Sequence, residues 1–272
     1  MTGETRDDDL LERIYDALDD GDPASAAELA RRALVEQQED DPVLRLLWGV
    51  ALLELDRPGD AAEHLARSVE LDPDDAEAHA NLALARFRAC RFAEAETAAR
   101  RALELEPGLP DAHAVHALAL ERRALFEEAD RHEAKAAELD PERFPLPERA
   151  ARAEFEAEVV RAGARLPERF RKLLDEVVVL VEPVPPTPIL FEENPPLDPE
   201  LLGLFVGASL AERTHFDGPG GLPPRILLFQ RNLERHAGDL ETLRDEIAVT
   251  LYHELGHYLG LDEDDLDELD LG

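Results

Sequence analysis

The chain has 272 residues, which is enough for two ordinary domains with buried cores. It contains 29 Lys and Arg residues against 63 Asp and Glu residues, so its formal net charge at pH 7 is −34. A field of that sign repels nucleic acid and anionic membrane surfaces, and we therefore expect neither as a partner.

The cysteine content and the start of the chain indicate the compartment. The single cysteine, Cys90, excludes an internal disulfide framework and fits a reducing environment. The opening MTGETRDDDL has neither a basic start nor an apolar core, so no signal peptide is visible. No run of about 18 apolar residues occurs, so we expect no transmembrane helix. These features predict a cytoplasmic protein.

A repeat of 34 residues fills the first half of the chain. Its units end alike, with ELDP, ELEP and ELDP closing at Pro73, Pro107 and Pro141. Other positions keep the same spacing: Gly49, Ala83 and Ala117; Ala61, Ala95 and Ala129; Ser68, Ala102 and Ala136; Pro58, Phe92 and Phe126. Small residues at helix crossings and a proline after the second helix predict stacked helix–turn–helix units. The pattern resembles the tetratricopeptide repeat (TPR), and Ala26–Leu34 resembles the second helix of a degenerate first unit.

The TPR resemblance implies a concave groove that holds peptides or partner proteins. Arg88 and Arg122 lie one repeat apart on the groove face, which favours an extended or helical partner segment that carries acid. The other groove positions are mostly apolar: Leu46, Val50, Leu53, Ala80, Leu84, Phe87, Ala114 and Leu118. The alternative interpretation is that these residues pack against a capping helix or against the second domain.

Histidines in this half do not predict a metal site. His79 and His113 are 34 residues apart, and His64 and His116 lie near them in sequence. Equivalent positions of stacked repeats are about 10 Å apart, which is too far for two ligands of one metal ion. We expect these histidines to be surface or packing residues.

The composition changes after Asp140, where Pro141, Pro145 and Pro147 occur within seven residues. Such proline density interrupts helices, so the repeat array ends here and a linker follows. We therefore predict a TPR-like helical solenoid over residues 1–145 and a second domain over residues 146–272.

The second domain has the pattern of a small α+β fold. Helices are predicted over Glu148–Ala162 and Pro167–Asp175, with a proline-rich surface loop later, over Glu182–Pro199. Three segments have strand character: Val177–Val181, Leu201–Gly207 and Arg225–Gln230. Asp239 then caps a final helix of about twenty residues that ends at Gly260.

The final helix carries the stretch YHELGHYLGLDEDDL. His253 and His257 lie one turn apart on one face and can bind one zinc ion at about 2.0–2.1 Å each. Glu254 is offset by one residue, so it lies beside the metal, where it can hold a zinc-bound water and accept its proton. This HExxH arrangement predicts one Zn²⁺ per chain with Glu254 as the catalytic base. The alternative is a surface helix with two unrelated histidines.

From about Ala153 onward, the chain resembles the small bacterial zincin-like metallopeptidases. The segments LPERFRKLLDEVVVLVEP, LLGLFVGASLAERTH and PPRILLFQRNLERHAGD follow the order of that family, and HELGHYLGLDEDDL is the most specific match. The resemblance implies a zincin-like fold and zinc-dependent hydrolysis of a peptide or protein substrate. The TPR-like array is an addition to this minimal domain.

Catalytic zinc usually has three protein ligands, and the two histidines supply only two of them. Gly260 is free to adopt a positive φ, so the chain can turn back toward the metal after the helix. Glu263 follows His257 by six residues, the offset of the third ligand in HExxHxxGxxH proteins, and we predict it as the third metal ligand. The alternatives are solvent alone and the neighbouring carboxylates, Asp262, Asp264 and Asp265.

The sequence leaves several candidates for two further roles. One is the residue that stabilises the oxyanion, and the other is the strand edge that binds the substrate. The oxyanion candidates are Tyr252, Tyr258, His215 and Arg225. His215 and His236 are expected to be structural or surface residues. A peptide substrate is expected to add as an extra strand to an exposed edge, supplied by Arg225–Gln230 or by Leu201–Val206.

Two functions compete at this point. The first is a cytoplasmic zinc metallopeptidase whose repeat domain recruits protein substrates. The second is a TPR scaffold or chaperone-like interaction protein whose zincin-like domain binds metal but turns over nothing. The intact glutamate of the motif, Glu254, favours the first, because a pseudoenzyme commonly loses that base.

Overall fold

A computed structural model of the chain describes residues 4–37, 40–210 and 223–261. The chain forms two compact units, the first over Met1–Pro145 and the second over Leu146–Gly272. No helix within the described ranges is long and apolar enough to cross a membrane.

The first unit is an array of helices joined by short turns. Its helices are α1 (Glu4–Asp19), α2 (Pro23–Gln37), α3 (Pro42–Glu54), α4 (Pro58–Leu71), α5 (Ala76–Arg88), α6 (Phe92–Leu105), α7 (Pro110–Glu121) and α8 (Phe126–Leu139). Each helix packs on the one before it and the one after it. This nearest-neighbour packing is typical of a solenoid, and the predicted TPR-like fold is confirmed.

Residues 34 positions apart occupy equivalent places in the array. Three alanines of the second helices have no exposed surface: Ala61, Ala95 and Ala129. The turns inside the helix pairs share a positive φ of 52–57° at Asp56, Cys90 and Ala124. Gly49 lies where α3 crosses α4, and a Cβ there would stand 2.4 Å from Leu65 Cγ. The repeated small residues therefore permit the close helix crossings that the spacing predicted.

The degenerate first unit predicted around Ala26–Leu34 corresponds to α1 and α2. Ala26 and Ala30 of α2 are fully buried and pack with Ile14 of α1. Asp41 then caps α3, since its side chain accepts a hydrogen bond from the backbone N–H of Leu44 at 2.9 Å.

Four residues predicted to line the groove lie in the core instead. Leu46, Leu53, Ala80 and Phe87 are at most 6% exposed, because the first helices pack against both neighbouring pairs. The other predicted groove residues are half-buried: Val50, Leu84, Ala114 and Leu118. The prediction was therefore wrong for the first four residues, and the apolar part of the groove is smaller than expected.

The second unit combines helices with a small mixed sheet. Its elements are α9 (Arg152–Arg165), α10 (Glu168–Leu174), β1 (Val178–Glu182), α11 (Thr187–Leu190), β2 (Gly203–Val206), β3 (Arg225–Phe229), α12 (Gln230–Ala237) and α13 (Leu240–Leu259). Within the described residues the strand order is β1-β3-β2, with β1 parallel and β2 antiparallel to β3. The predicted α+β fold of this region is confirmed.

The region before α9 differs from the prediction of a helix over Glu148–Ala162. The N–H of Glu148 donates to Gly238 O at 2.9 Å, and the N–H of Ala150 donates to Glu234 Oε1 at 3.1 Å. These bonds tie an extended segment to α12, so the helix begins only at Arg152.

Two helices of the second unit were not predicted. The segment expected to be a surface loop contains α11, which buries Leu190 completely. The other is α12, which follows β3 without an intervening turn. Its buried Glu234 accepts hydrogen bonds from Gln230 Nε2 at 2.7 Å and Arg149 NH1 at 3.0 Å. Buried carboxylates need such partners, and these partners fix α12 against the segment that precedes α9.

The core of the second unit lies between the sheet and the helices α9 and α13. Ile226 and Leu228 on β3 are fully buried, and they belong to one cluster with Phe155 of α9 and with Ile247 and Leu251 of α13. Burying aliphatic and aromatic side chains contributes about 1.5–3 kcal/mol each, so this cluster fixes α13 against the sheet.

Candidate metal centre

The ends of α13 are set by local capping, as the sequence predicted. Asp239 Oδ1 accepts hydrogen bonds from the N–H groups of Glu241 and Thr242, both at 2.9 Å. The bond from the Thr242 backbone is the main cause of the lowered pKa of Asp239. At the other end, Gly260 adopts φ 86° and its N–H donates to His257 O at 3.0 Å.

The HExxH histidines are close together on one side of α13. His253 Nε2 and His257 Nε2 are 3.0 Å apart, and the two rings are nearly perpendicular at 84°. Two nitrogens on one tetrahedral zinc ion at about 2.0–2.1 Å would be about 3.3–3.4 Å apart. The observed spacing is close to that value, so the pair fits a shared divalent metal.

The backbone beyond α13 favours the required tautomer of His257. Its Nδ1 faces Leu261 O at 3.4 Å, a long contact in which the carbonyl can only accept. A proton on Nδ1 leaves the lone pair on Nε2, the nitrogen that faces His253. Metal-binding histidines commonly use their second nitrogen in this way.

The described residues do not contain a complete metal site. In the ranges 4–37, 40–210 and 223–261, no group of three or more His, Cys, Asp or Glu side chains is placed to hold a metal ion. The predicted third ligand, Glu263, lies outside the described residues, as do its alternatives Asp262, Asp264 and Asp265. The structure thus brings two of the three predicted ligands together, and the third stays a prediction.

Glu254 lies on the buried side of the motif, between α13 and β2. It is 7% exposed. A Cβ placed on Gly203 of β2 would stand 3.0 Å from Glu254 Cγ, 3.1 Å from Glu254 Oε1 and 2.6 Å from Thr250 Cγ2. The strand can approach the carboxyl group this closely because residue 203 has no side chain. The sequence analysis did not single out Gly203, although a glycine inside a strand pattern is the signal for such an approach.

The two tyrosines proposed for the oxyanion have other partners. Tyr258 is fully buried, its hydroxyl donates to Glu176 Oε2 at 3.1 Å, and its ring packs on Phe205. Tyr252 donates its hydroxyl to Ala162 O at 2.8 Å, and burial raises its pKa. Both side chains anchor α13 to the rest of the unit, so the interpretation as oxyanion donors is wrong for this structure.

The remaining oxyanion candidates are Arg225 and His215. Arg225 begins β3, is half-buried, and its Nε has no hydrogen-bond partner within the described part of the chain. His215 lies outside the described residues. His236 is exposed, 3.6 Å from Glu246 Oε2, which agrees with the prediction of a surface residue. Arg225 is therefore the candidate with a buried donor group that has no acceptor among the described residues.

The sheet topology decides between the two predicted substrate edges. β3 pairs with β1 on one side and with β2 on the other, so Arg225–Gln230 is central and the prediction of an edge there was wrong. β2 lies within the other predicted segment, Leu201–Val206, and packs against α13. In the described residues β2 has a strand partner on one side only.

The histidines of the first unit are packing residues. His79 and His116 are buried, while His64 and His113 are half-buried. The two repeat-equivalent residues make equivalent hydrogen bonds, from His79 Nε2 to Pro73 O at 3.1 Å and from His113 Nε2 to Pro107 O at 3.0 Å.

Comparison with known protein families identifies both halves of the chain. Residues 174–272 match the zincin-like metallopeptidase family, and residues 52–119 match the tetratricopeptide repeat. The chain therefore carries a zincin-like metallopeptidase domain after TPR repeats, and the resemblance drawn from the sequence is confirmed. A comparison with curated proteins found no match.

Solved structures similar to the chain include TPR proteins. YrrB, described as a TPR protein with an unusual peptide-binding site, is 23% identical with a TM-score of 0.41; the match covers 46% of this chain and 64% of YrrB. MamA is 24% identical with a TM-score of 0.43, over 52% of this chain and 78% of MamA. MamA from Desulfovibrio magneticus RS-1 is 22% identical with a TM-score of 0.43, over 48% and 73%. The chain thus spans less than two thirds of YrrB.

Proposed function

We propose that the second unit is a zinc-dependent metallopeptidase that hydrolyses peptide bonds, and that the TPR unit recruits its protein substrates. One observation carries the proposal: α13 holds the Nε2 atoms of His253 and His257 3.0 Å apart, with Glu254 buried one residue away beside β2. The zincin-like family match over this helix supports the same reaction class.

The residues proposed to hold the zinc ion are His253, His257 and Glu263. Bound zinc supplies a Lewis acid and lowers the pKa of a bound water toward neutrality. Glu254 is the proposed base, since it is adjacent to the ligand pair without being part of it. Its low exposure limits competition from bulk water, and β2 packs directly against its carboxyl group at Gly203, which restricts the positions the carboxyl group can take.

The proposed substrate site is the open side of β2. An extended peptide can add to a strand edge through backbone hydrogen bonds, with little dependence on its side chains. β2 passes directly against Glu254 at Gly203, so a peptide on this strand would be held close to the proposed base. This mode suits unfolded or flexible segments, because most backbone groups of a folded segment are already hydrogen-bonded.

Zinc content tests the metal centre before any substrate is known. The purified chain, loaded with zinc and desalted, should retain about one zinc per molecule, because two imidazoles on one helical turn match one tetrahedral ion. Replacing His253 and His257 together by Ala should remove it, while His236→Ala, an exposed histidine outside the motif, should not. Less than a tenth of an equivalent in the parent contradicts the proposal.

The third ligand is tested by the same measurement at limiting zinc. Metal affinity should fall about 10–100-fold or more in Glu263→Ala, because a carboxylate ligand is lost. Glu268→Ala is the matched control, as it removes the same residue type and charge from the same segment and is not among the candidate ligands. If Glu263→Ala binds zinc as tightly as the parent, the assignment of Glu263 is wrong, and Asp262→Ala, Asp264→Ala and Asp265→Ala identify the replacement.

A further inference from the structure

A pocket of about 480 Å³ lies in the first unit between α4 and α6, the second helices of successive repeats. Its floor is formed by His79 and Leu82 of α5, and its apolar wall includes Val69 and Ala98. Pockets of about 300–1,000 Å³ are typical of ligand sites. None of the residues predicted to line the TPR groove lines this pocket, so it is a different place on the unit.

Rings fill the equivalent places in the two flanking repeats. In the repeat before, Trp48 stacks on His64 with ring centroids 3.8 Å apart. In the repeat after, His116 packs edge-on against His132 with centroids 4.4 Å apart. Each pair joins the first and second helices of one repeat, α3 with α4 and α7 with α8.

The middle repeat has no ring at either of these positions. Leu82 stands 34 residues after Trp48, and Ala98 stands 34 residues after His64. Both are buried, yet an aliphatic side chain and a methyl group occupy less space than two aromatic rings. The pocket therefore lies where the middle repeat departs from both of its neighbours.

A third substitution places a cation in the same pocket. Arg86 lines it, whereas the equivalent residues Leu52 and Leu120 are core leucines at 3% exposure. The Nε of Arg86 is buried and has no hydrogen-bond partner within the described part of the chain. Its ion-pair neighbour is Glu94 at 3.8 Å, which already accepts hydrogen bonds from Arg91 at 2.8 and 2.6 Å. Burial lowers the pKa of Arg86, while the charge of Glu94 acts in the opposite direction.

The other charges at the pocket have closer partners. Arg100 pairs with Glu96 at 2.5 Å, and Arg101 pairs with Asp74 at 3.2 Å and with Glu104 at 3.4 Å. Glu70 pairs with Arg67 at 2.9 Å. Arg86 has the longest ion-pair distance among these charges, 3.8 Å to Glu94, and it stands next to an apolar surface.

We propose that this pocket binds a peptide segment of a partner protein in which an apolar side chain stands beside a carboxylate. The apolar side chain packs on Val69, Leu82 and Ala98, and the carboxylate accepts hydrogen bonds from the Arg86 guanidinium. A guanidinium matches a carboxylate in shape and charge, and charge-assisted hydrogen bonds are about twice as strong as those between neutral groups. The site gives the proposed recruitment function a partner class, and it does not depend on peptide hydrolysis by the second unit.

The test uses the full chain carrying Glu254→Gln, so that bound peptides cannot be cleaved at the proposed active site. The probes are an array of nonapeptides with Leu, Val or Phe followed by Asp or Glu at the centre, and a matched array with Asn or Gln in place of the acid. Fluorescence anisotropy then gives the affinity of the best pair. We expect the acidic peptide to bind at least tenfold more tightly than its amide counterpart.

Two variants test the pocket, and each installs the residue of a flanking repeat. Arg86→Leu removes the cation, Ala98→His fills the space, and both should lower the affinity for the acidic peptide at least tenfold. Arg86→Leu should also unfold at the same or a higher temperature than the parent, so that lost binding cannot be ascribed to lost structure. Arg57→Leu, at an exposed arginine that does not line the pocket, should bind as the parent does.

Three results overturn the proposal. The first is that no peptide of either array binds. The second is that Arg86→Leu retains the preference for acid over amide. The third is that 4-methylpentanoate, the free acid with the same apolar and carboxylate groups, binds as tightly as the best peptide, which would assign the pocket to a small carboxylic acid.

Discussion

The chemistry proposed for this chain depends on three neighbouring residues with different surroundings. His253 and His257 are half-buried and bring their Nε2 atoms within 3.0 Å, whereas Glu254 is turned toward β2 and buried. The helix period separates the roles, because residues four apart share a face and the intervening residue does not. The proposed metal-ligand pair and the proposed base therefore come from five consecutive residues, His253 to His257.

His116 makes the first unit sensitive to acid. Burial, with the neighbouring His132 as a lesser cause, lowers its pKa to about 4. Arg100 opposes its protonation as well, whereas Glu96 favours it. An unfolded histidine titrates near 6.5, so the unfolded state binds more protons between about pH 6.5 and 4. The contribution of His116 to the free energy of unfolding is therefore constant above about pH 6.5, and it decreases as the pH falls from about 6.5 to 4.

Replacing His116 by Leu, the residue at the equivalent position of the preceding repeat, tests this sensitivity. Between pH 7.5 and 5.5 the parent should lose about 1 kcal/mol more of its free energy of unfolding than His116→Leu does. Urea unfolding at both pH values measures the difference, and His236→Leu at an exposed position serves as the control. Equal losses in the parent and in His116→Leu would show that the pKa of His116 is the same in the folded and unfolded chain.

At the scale of elements, the contact between β2 and α13 positions the proposed base. In Gly203→Ala the new methyl group would stand 2.6 Å from Thr250 Cγ2 and 3.0 Å from Glu254 Cγ, so the strand or the carboxyl group must move. We expect a loss of about 1–3 kcal/mol in the free energy of unfolding, with bound zinc retained. Urea unfolding and zinc analysis measure these two quantities.

The matched control for this contact is Gly59→Ala in α4, where a Cβ would meet nothing within 4 Å. It should change the stability of the chain much less than Gly203→Ala does. If the two substitutions have the same effect, the close approach of β2 to Glu254 does not constrain the site.

Elements that depend on nearby residues were predicted correctly from the sequence, whereas elements that depend on distant contacts were not. The ends of α13 follow from Asp239 and Gly260, since a cap needs only nearby atoms. The 34-residue period gave the helix pairs because the same packing recurs at each repeat. By contrast, α12 follows β3 directly, and its stability comes from the bonds of Glu234 to a segment about 85 residues away in the chain.

Several features of the candidate sites were not predicted from the sequence, because they depend on contacts between residues distant in the chain. The burial of Leu46 and Phe87 in place of a groove, the close approach of Gly203 and the partner of Tyr258 each require knowledge of which elements pack together. The position of Arg86 was visible as a departure from the leucines at equivalent repeat positions, but the pocket beside it was not.

At the scale of the whole molecule, we propose that a recruitment unit and a hydrolytic unit share one chain. In the described residues, the main contacts of helices α1–α8 are with helices one or two positions away in the chain. A fragment of residues 1–145 should therefore fold alone and show a cooperative thermal transition followed by circular dichroism. A fragment without helical signal or without a transition would contradict this expectation.

Removing the first unit also separates recruitment from support. The remaining chain, residues 146–272, should lose more activity on protein substrates than on short peptides, because short peptides need no recruitment. The ratio of the two activities in the full chain is the control. Equal losses on both substrates would make the first unit a structural support for the second.

Hydrolysis of an unfolded protein tests the central proposal most directly. The zinc-loaded chain is incubated with a reduced and carboxymethylated protein, and new amino termini are counted over time. The parent should release them, and Glu254→Gln with the same zinc content should release them at least about 100-fold more slowly, since a general base is lost and no ligand is. No release by the parent, or equal release by both, would contradict a metallopeptidase and leave a metal-binding interaction protein.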